Sequence, residues 1–251
     1  MRFQGAMDIA FAKEIHDSLV VYQDDIPIFS KFDNEHLDYL RRVFIKCRKF
    51  RIYLNPRKTL FSLEEGKLSG HIISKYGIRI DLAIIEAILT ISHPRNIKEL
   101  QSFLGEINFI RRFISKLEEL IRELNNMLRK DSALKWTVEV KQSFDAAKEA
   151  LTKTPVLLSL DFQKDFIIFS FALEHTIATV LLQKNDQGYE QLIALLSKSL
   201  RDATLKYNIM EIQALALVKA IKDFRVYIIY SHIIAYVPNS VVKDILTQNG
   251  P

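Results

Sequence analysis

The hydrophobic period of the chain changes along its length, and that change limits the folds open to it. Three apolar runs, Phe166–Ala172, 177–183 and 191–197, have the length and residue content of strands. The last two are joined through Asn185-Asp186-Gln187-Gly188, a hairpin connection. Over 208–224 the apolar residues Met210, Ala214, Leu217, Ile221 and Phe224 recur at helical spacing instead, and 233–237 is strand-like again. A short helix is expected after Asn239. Three antiparallel strands, a helix and a further strand make the fold class α+β.

Upstream the pattern is mostly helical. Phe3, Met7, Ala10, Phe11 and Ile15 predict an amphipathic helix over 3–16. A second is expected over 35–50, with Leu37, Leu40, Phe44 and Cys47 on its buried stripe and Cys47 as a small core residue. Between them, over 18–30, two β-rich runs flank Asp24-Asp25, which reads as strand, tight turn and strand. Pro27 has no N–H for a ladder, so the second strand is expected to be short or at an edge. Short strands are expected over 59–80, with turns at Glu64-Glu65-Gly66 and Lys75-Tyr76-Gly77. Asn96 and Glu99 resemble a capping box ahead of the stripe Leu100, Phe103, Leu104, Ile107 and Ile114. Trp136, Val140, Phe144, Ala147 and Leu151 define one more helix, ended by Thr154-Pro155. Lys130-Asp131-Ser132 is the best linker.

Charge is uneven along this pattern. Residues 1–130 hold 22 Lys+Arg against 17 Asp+Glu, and residues 131–251 hold 13 against 13. Clusters such as Arg41-Arg42, Lys46-Cys47-Arg48-Lys49, Arg57-Lys58 and Arg111-Arg112 suit a phosphate backbone, although solvated helix faces would look the same. Any nucleic-acid affinity is expected to be salt-sensitive and confined to residues 1–130. A single cysteine excludes a disulfide framework or a cysteine-rich metal site. No apolar run reaches about 18–20 residues and residues 1–5 have no leader pattern, so an intracellular, soluble protein is expected.

Tyr22-Gln23-Asp24-Asp25 is the one acidic constellation placed for chemistry. Two adjacent carboxylates at a hairpin tip repel unless a divalent cation sits between them, and two-metal phosphoryl transfer needs clustered oxygen ligands of this kind. A solvated turn would also use aspartate.

The stretch VVYQDDIPIFSKFDNEHLDYLRRVFIKCRKFRIYLNPRKTLF resembles the catalytic hairpin and following helix of reverse transcriptases from gypsy-type long-terminal-repeat retrotransposons. The resemblance continues in order through KLSGHIISKYGIRID, HPRNIKELQSFLGEINFIRRFI and LKWTVEVKQSFDAAKEALTKTPVL, with Phe3-Gln4 resembling the segment that enters the palm helix. It implies four parts: a partial polymerase palm (1–80), a helical thumb that grips duplex (81–130), a connection (131–162) and a ribonuclease H-like domain (163–251). It implies Asp24 and Asp25 as metal-binding, catalytic carboxylates for Mg²⁺ or Mn²⁺, Asp24 the more direct ligand, with Tyr22 near the primer end. Lys58 matches a lysine near the triphosphate that donates a proton to pyrophosphate, with a solvated turn lysine as the equal alternative. Gly70 and His71 match a primer-holding hairpin, or His71 is a satisfied half-buried histidine. Arg111 and Arg112 are further contacts to nucleic acid.

The resemblance also shows departures. A third metal-binding aspartate and the fingers belong upstream of Phe3. In the ribonuclease H-like part, the positions at which the family carries two aspartates and a glutamate are Phe171, Gln213 and Pro238. Glu211 lies about 200° around the helix from Gln213 and cannot substitute without a register shift. The family's final strand and helix would follow Pro251. The chain is therefore expected to be a fragment of an RNA-directed DNA polymerase, inactive by itself, whose whole enzyme takes RNA template, DNA primer and dNTPs. The other reading is a non-catalytic, retroelement-derived protein that binds nucleic acid or a partner.

Overall fold

A computed structural model describes residues 3–15, 18–22, 25–30, 32–129, 134–200, 207–238 and 243–244. The linker expected at 130–132 and the expected helix after Asn239 lie outside the described residues, apart from 243–244. Contacts divide the chain into two units, 1–69 and 70–251. No helix among the described residues is long and apolar enough to cross a membrane.

The first unit holds α1 (Phe3–Ala10), α2 (Asp33–Phe50) and the short strand β1 (Glu65–Leu68). Its core is Met7, Ala10, Phe11, Leu19, Val43 and Cys47. Met7, Ala10 and Phe11 of the expected stripe are buried and Ile15 is half-buried, but α1 stops at Ala10. The chain then turns, with Phe11 N–H donating to Met7 O and Ile15 N–H to Phe11 O, both at 2.9 Å. On α2 the expected stripe is off by one residue in part: Leu37 is 72% exposed and Phe44 is exposed, while Val43 and Cys47 are buried. One residue is about 100° on a helix, and heptad spacing alone does not choose between neighbouring stripes. Lys46 of α2 pairs with the buried Glu14, so the unit's buried carboxylate is charge-compensated. Glu65-Gly66 lies inside β1 instead of forming the expected turn.

The second unit starts with the hairpin β2 (His71–Ser74) and β3 (Gly77–Ile80), closed by Lys75-Tyr76 as expected. Helices α3 (Leu82–Thr90), α4 (Ile97–Phe109), α5 (Leu117–Leu120), α6 (Arg122–Arg129) and α7 (Val138–Leu151) follow, with one 3-10 turn at Arg111–Phe113. Asn96 caps α4 by accepting from Glu99 N–H at 3.0 Å, and Glu99 in return accepts from Arg95 N–H at 2.7 Å. The stripe of α4 is buried as expected, including Ile114, which lies past the helix, and so are Val140, Phe144, Ala147 and Leu151 of α7, while Trp136 is half-buried. Phe103 and Phe144 meet at 4.5 Å in the shared core. Trp136 precedes α7 and donates its ring N–H to Pro94 O at 3.0 Å. Lys148 of α7 donates to the carbonyls of Leu89 and Ile91 at the C-terminus of α3, where a cation is favoured. Burial there pushes its ammonium pKa down.

A four-stranded sheet completes the unit: β4 (Phe166–Ala172), β5 (Thr176–Lys184), β6 (Glu190–Ser199) and β7 (Ile233–Tyr236), in the order β6-β5-β4-β7. β5 is antiparallel to β4 and β6, and β7 is parallel to β4. Helix α8 (Ile209–Ile228) packs Leu217, Ala220 and Phe224 on Phe166, Ile168 and Leu181. Ile221, expected on its stripe, is exposed instead, because Ala216 and Ala220 let the helix lie close to the sheet along a neighbouring row.

Gly77 closes onto the strand-like segment at Leu157, where Ile78 and Leu157 exchange backbone hydrogen bonds. Its φ is 124°, and a Cβ would run into Leu157 O. Gly77→Ala is expected to cost about 2 kcal/mol or more. Denaturant unfolding of the full chain measures this, and a loss below about 0.5 kcal/mol would contradict it.

Candidate functional site

The segment around the two aspartates is a hairpin, in a thinner form than expected. Phe29 N–H donates to Ser18 O at 2.9 Å and Val20 N–H to Pro27 O at 3.1 Å. Tyr22 and Asp25 exchange two bonds, at 3.0 and 2.9 Å. Pro27 returns no hydrogen to Val20. The pairing is therefore reduced to single bridged pairs, Leu19 with Ile28 and Tyr22 with Asp25, in place of two regular strands. Asp24 lies outside the described residues, and Tyr22 and Asp25 are exposed. Lys58 is exposed in a turn closed on Asn55 O, which accepts its N–H at 3.1 Å, and no hydrogen bond or ion pair joins Lys58 to Asp25.

Gly70, His71, Arg111 and Arg112 belong to the second unit, which brings them together. Gly70 has φ 74°, its carbonyl accepts Asp81 N–H at 3.0 Å, and a Cβ would strike Ile84 and crowd Phe109. His71 is half-buried, its ring 5.3 Å from Phe109 and stacked on Phe113 at 5.5 Å. The Arg112 guanidinium lies 5.2 Å over Phe113, and Arg111 beside it is exposed. Phe113 thus joins the start of β2 to the arginine pair, a role that the sequence pattern does not single out.

Phe171, Gln213 and Pro238 come from three elements but gather at one end of the four-stranded sheet. β4 and β7 run parallel with Phe169 opposite Tyr236; Phe171 lies two residues further along β4, and Pro238 two residues past the end of β7. Gln213, in the first turns of α8, accepts the N–H of Ala172 at 3.3 Å, next to Phe171. None of the three offers an anionic oxygen. An apolar ring at this position is expected to pack locally, yet the Phe171 side chain is 47% exposed, since it points away from the face that α8 covers. Glu211 is engaged elsewhere: it accepts Asn208 N–H at 3.0 Å and donates its own N–H to Asn208 Oδ1 at 3.0 Å, a capping box that starts α8. No group of three or more His, Cys, Asp or Glu among the described residues is arranged to hold a metal. This sheet end does not fit the divalent cations that the resemblance would place there. Tyr236, which the sequence pattern does not mark out, stacks on Phe169 at 4.7 Å beside it.

Gln213 is a side-chain partner for backbone at the end of β4. Gln213→Leu is expected to cost about 1 kcal/mol by leaving the Ala172 N–H without it. Thermal unfolding tests this, and an unchanged midpoint would contradict it.

A family model described as the RNase H-like domain found in reverse transcriptase matches residues 136–235. The Transposon Tf2-3 and Tf2-7 polyproteins of Schizosaccharomyces pombe are 34% and 33% identical to the chain over 86% of its length. The chain spans 16% of each, about a sixth of the length of these relatives. Among solved structures, the foamy viral protease-reverse transcriptase in complex with double-stranded DNA superimposes with a TM-score of 0.85 at 23% identity, over 98% of this chain and 43% of that one. The same viral protein with an RNA/DNA hybrid gives 0.79 at 24%, over 94% and 32%. At that identity the superposition shows the fold alone: mixed α+β with two sheets and an RNase H-like part. The chain is thus homologous to gypsy-type long-terminal-repeat retrotransposon polyproteins, and its residues 136–235 match the RNase H-like domain found in reverse transcriptase.

Proposed function

We propose that the chain acts within an RNA-directed DNA polymerase and that its RNase H-like part, residues 163–251, is structural and not catalytic. The observation that carries this is the neutral trio Phe171, Gln213 and Pro238 at the shared end of β4, β7 and α8. Hydrolysis of the RNA strand of a hybrid needs carboxylates that hold two cations against the scissile phosphate, and an aromatic ring, an amide and a proline hold none.

On this reading residues 1–80 are part of the palm, 81–130 the thumb and 131–162 the connection. Asp24 and Asp25 would hold Mg²⁺ or Mn²⁺, which supplies charge neutralisation for nucleotide transfer to a primer. Tyr22, exposed beside Asp25, lies next to the primer end, and Lys58 carries the proton for pyrophosphate. The rigid Gly70-His71 corner and the exposed Arg111, with Arg112 held over Phe113, contact the backbone of the duplex. That the similar viral protein is described in complex with double-stranded DNA and with an RNA/DNA hybrid supports nucleic acid as partner.

Incubating the full chain with an RNA/DNA hybrid and Mg²⁺ or Mn²⁺ is expected to leave the RNA strand intact. RNA-strand cleavage that a chelator abolishes would overturn the proposal.

A further inference from the structure

Residues 41–63 contain eight Lys+Arg, four aromatic residues and no Asp or Glu, so this one segment carries more positive charge than the whole chain's net of +5. It spans the end of α2 and the irregular stretch that follows. There the chain leaves the helix through Arg51 in a left-handed conformation, φ 55°. Behind that bend is an open groove of ≈ 470 Å³ lined by Phe44, Cys47, Arg48, Arg51, Ile52, Tyr53 and Leu54.

The groove's chemistry is specific in two ways. Its floor is apolar: Ile52 packs on the core of the first unit, and burial pushes the Cys47 thiol pKa up, so the sulfur is neutral wall and not a nucleophile. Its rim is aromatic and cationic. Tyr53 is 93% exposed, and Phe44 meets Phe61 edge-on at 6.3 Å. Arg48 and Arg51 form no ion pair with any described carboxylate, whereas Arg41 and Lys46 on the same helix are paired with Asp38 and Glu14. A helix C-terminus attracts cations on its own account, which accounts for Arg48 and Lys49. It does not account for Arg51 and Arg57, which lie beyond the helix, or for the exposed Tyr53 between them.

We propose that this groove binds single-stranded nucleic acid, with bases against Tyr53 and the Phe44–Phe61 pair and phosphates against Arg48 and Arg51. Alternating rings and cations on an exposed surface suit a polyanion that carries a flat apolar face at each repeat. An acidic peptide would use the arginines but leave the rings without stacking partners. The groove's lining shares no residue with the catalytic reading, so the proposal does not rest on that reading.

The test is fluorescence anisotropy of a labelled oligo(dT) of about 20 nucleotides, long enough to cover one such site, with the full chain. Tyr53→Ala and the double variant Arg48→Ala/Arg51→Ala are each expected to weaken binding about tenfold. The charge-matched double variant Lys219→Ala/Lys222→Ala on α8 is expected to change it less than twofold. Tyr53 is almost wholly exposed, so its removal leaves the fold intact, and circular dichroism melting confirms this for each variant. Three results would each overturn the proposal: no oligo(dT) binding by the unmodified chain, groove variants that bind within twofold of it, or polyglutamate displacing oligo(dT) at equal charge concentration.

Discussion

The parallel pairing of β7 with β4 is the contact on which the second unit's sheet end depends. It joins residues more than sixty apart in sequence and fixes the register Phe166 with Ile233 through Phe169 with Tyr236. A parallel pair cannot be made by a tight turn, so the chain needs β5, β6 and then α8 to return in the same direction. α8 crosses the sheet with Ala216 and Ala220 against it, and its first turns bring Gln213 to the N–H of Ala172. That crossing places three positions from distant parts of the chain at one end of the sheet. The residues it assembles are neutral.

Elements with a strong period are legible in the sequence alone. The limits of β4 agree residue for residue, those of β5 and β6 within two residues, and the stripe of α7 is buried as its spacing implies. The departures fall where a period admits two solutions or where a single residue outweighs it. Leu37 and Phe44 share a heptad with Cys47, but the core of the first unit selects Val43, one residue away. Pro27 thins the aspartate hairpin to single bridged pairs. Ile221 has the right spacing on α8, yet alanines at 216 and 220 draw an adjacent row onto the sheet.

The candidate sites are legible to different degrees, for a physical reason. Positions defined by sequence order within a motif, such as Tyr22 and Asp25, can be named from the motif itself. Phe171, Gln213 and Pro238 can be named only through the resemblance, because their proximity comes from strand pairing and a helix crossing. Phe113, which carries both His71 and Arg112, is not legible as more than an apolar residue, since ring stacking depends on three-dimensional approach and leaves no spacing in the sequence. The basic clusters are visible as charge, but the groove behind Arg51 depends on a left-handed helix end that no periodicity encodes.

If the end of the four-stranded sheet is structural, it holds no divalent cation. Paramagnetic broadening in a Mn²⁺ titration followed by amide NMR reads this residue by residue in the full chain. The signals of Ala172 and Gln213 are expected to keep their intensity at Mn²⁺ concentrations that broaden exposed carboxylate neighbourhoods. Selective loss of those two signals, reversed by a chelator, would contradict the account and return the sheet end to a metal-dependent role.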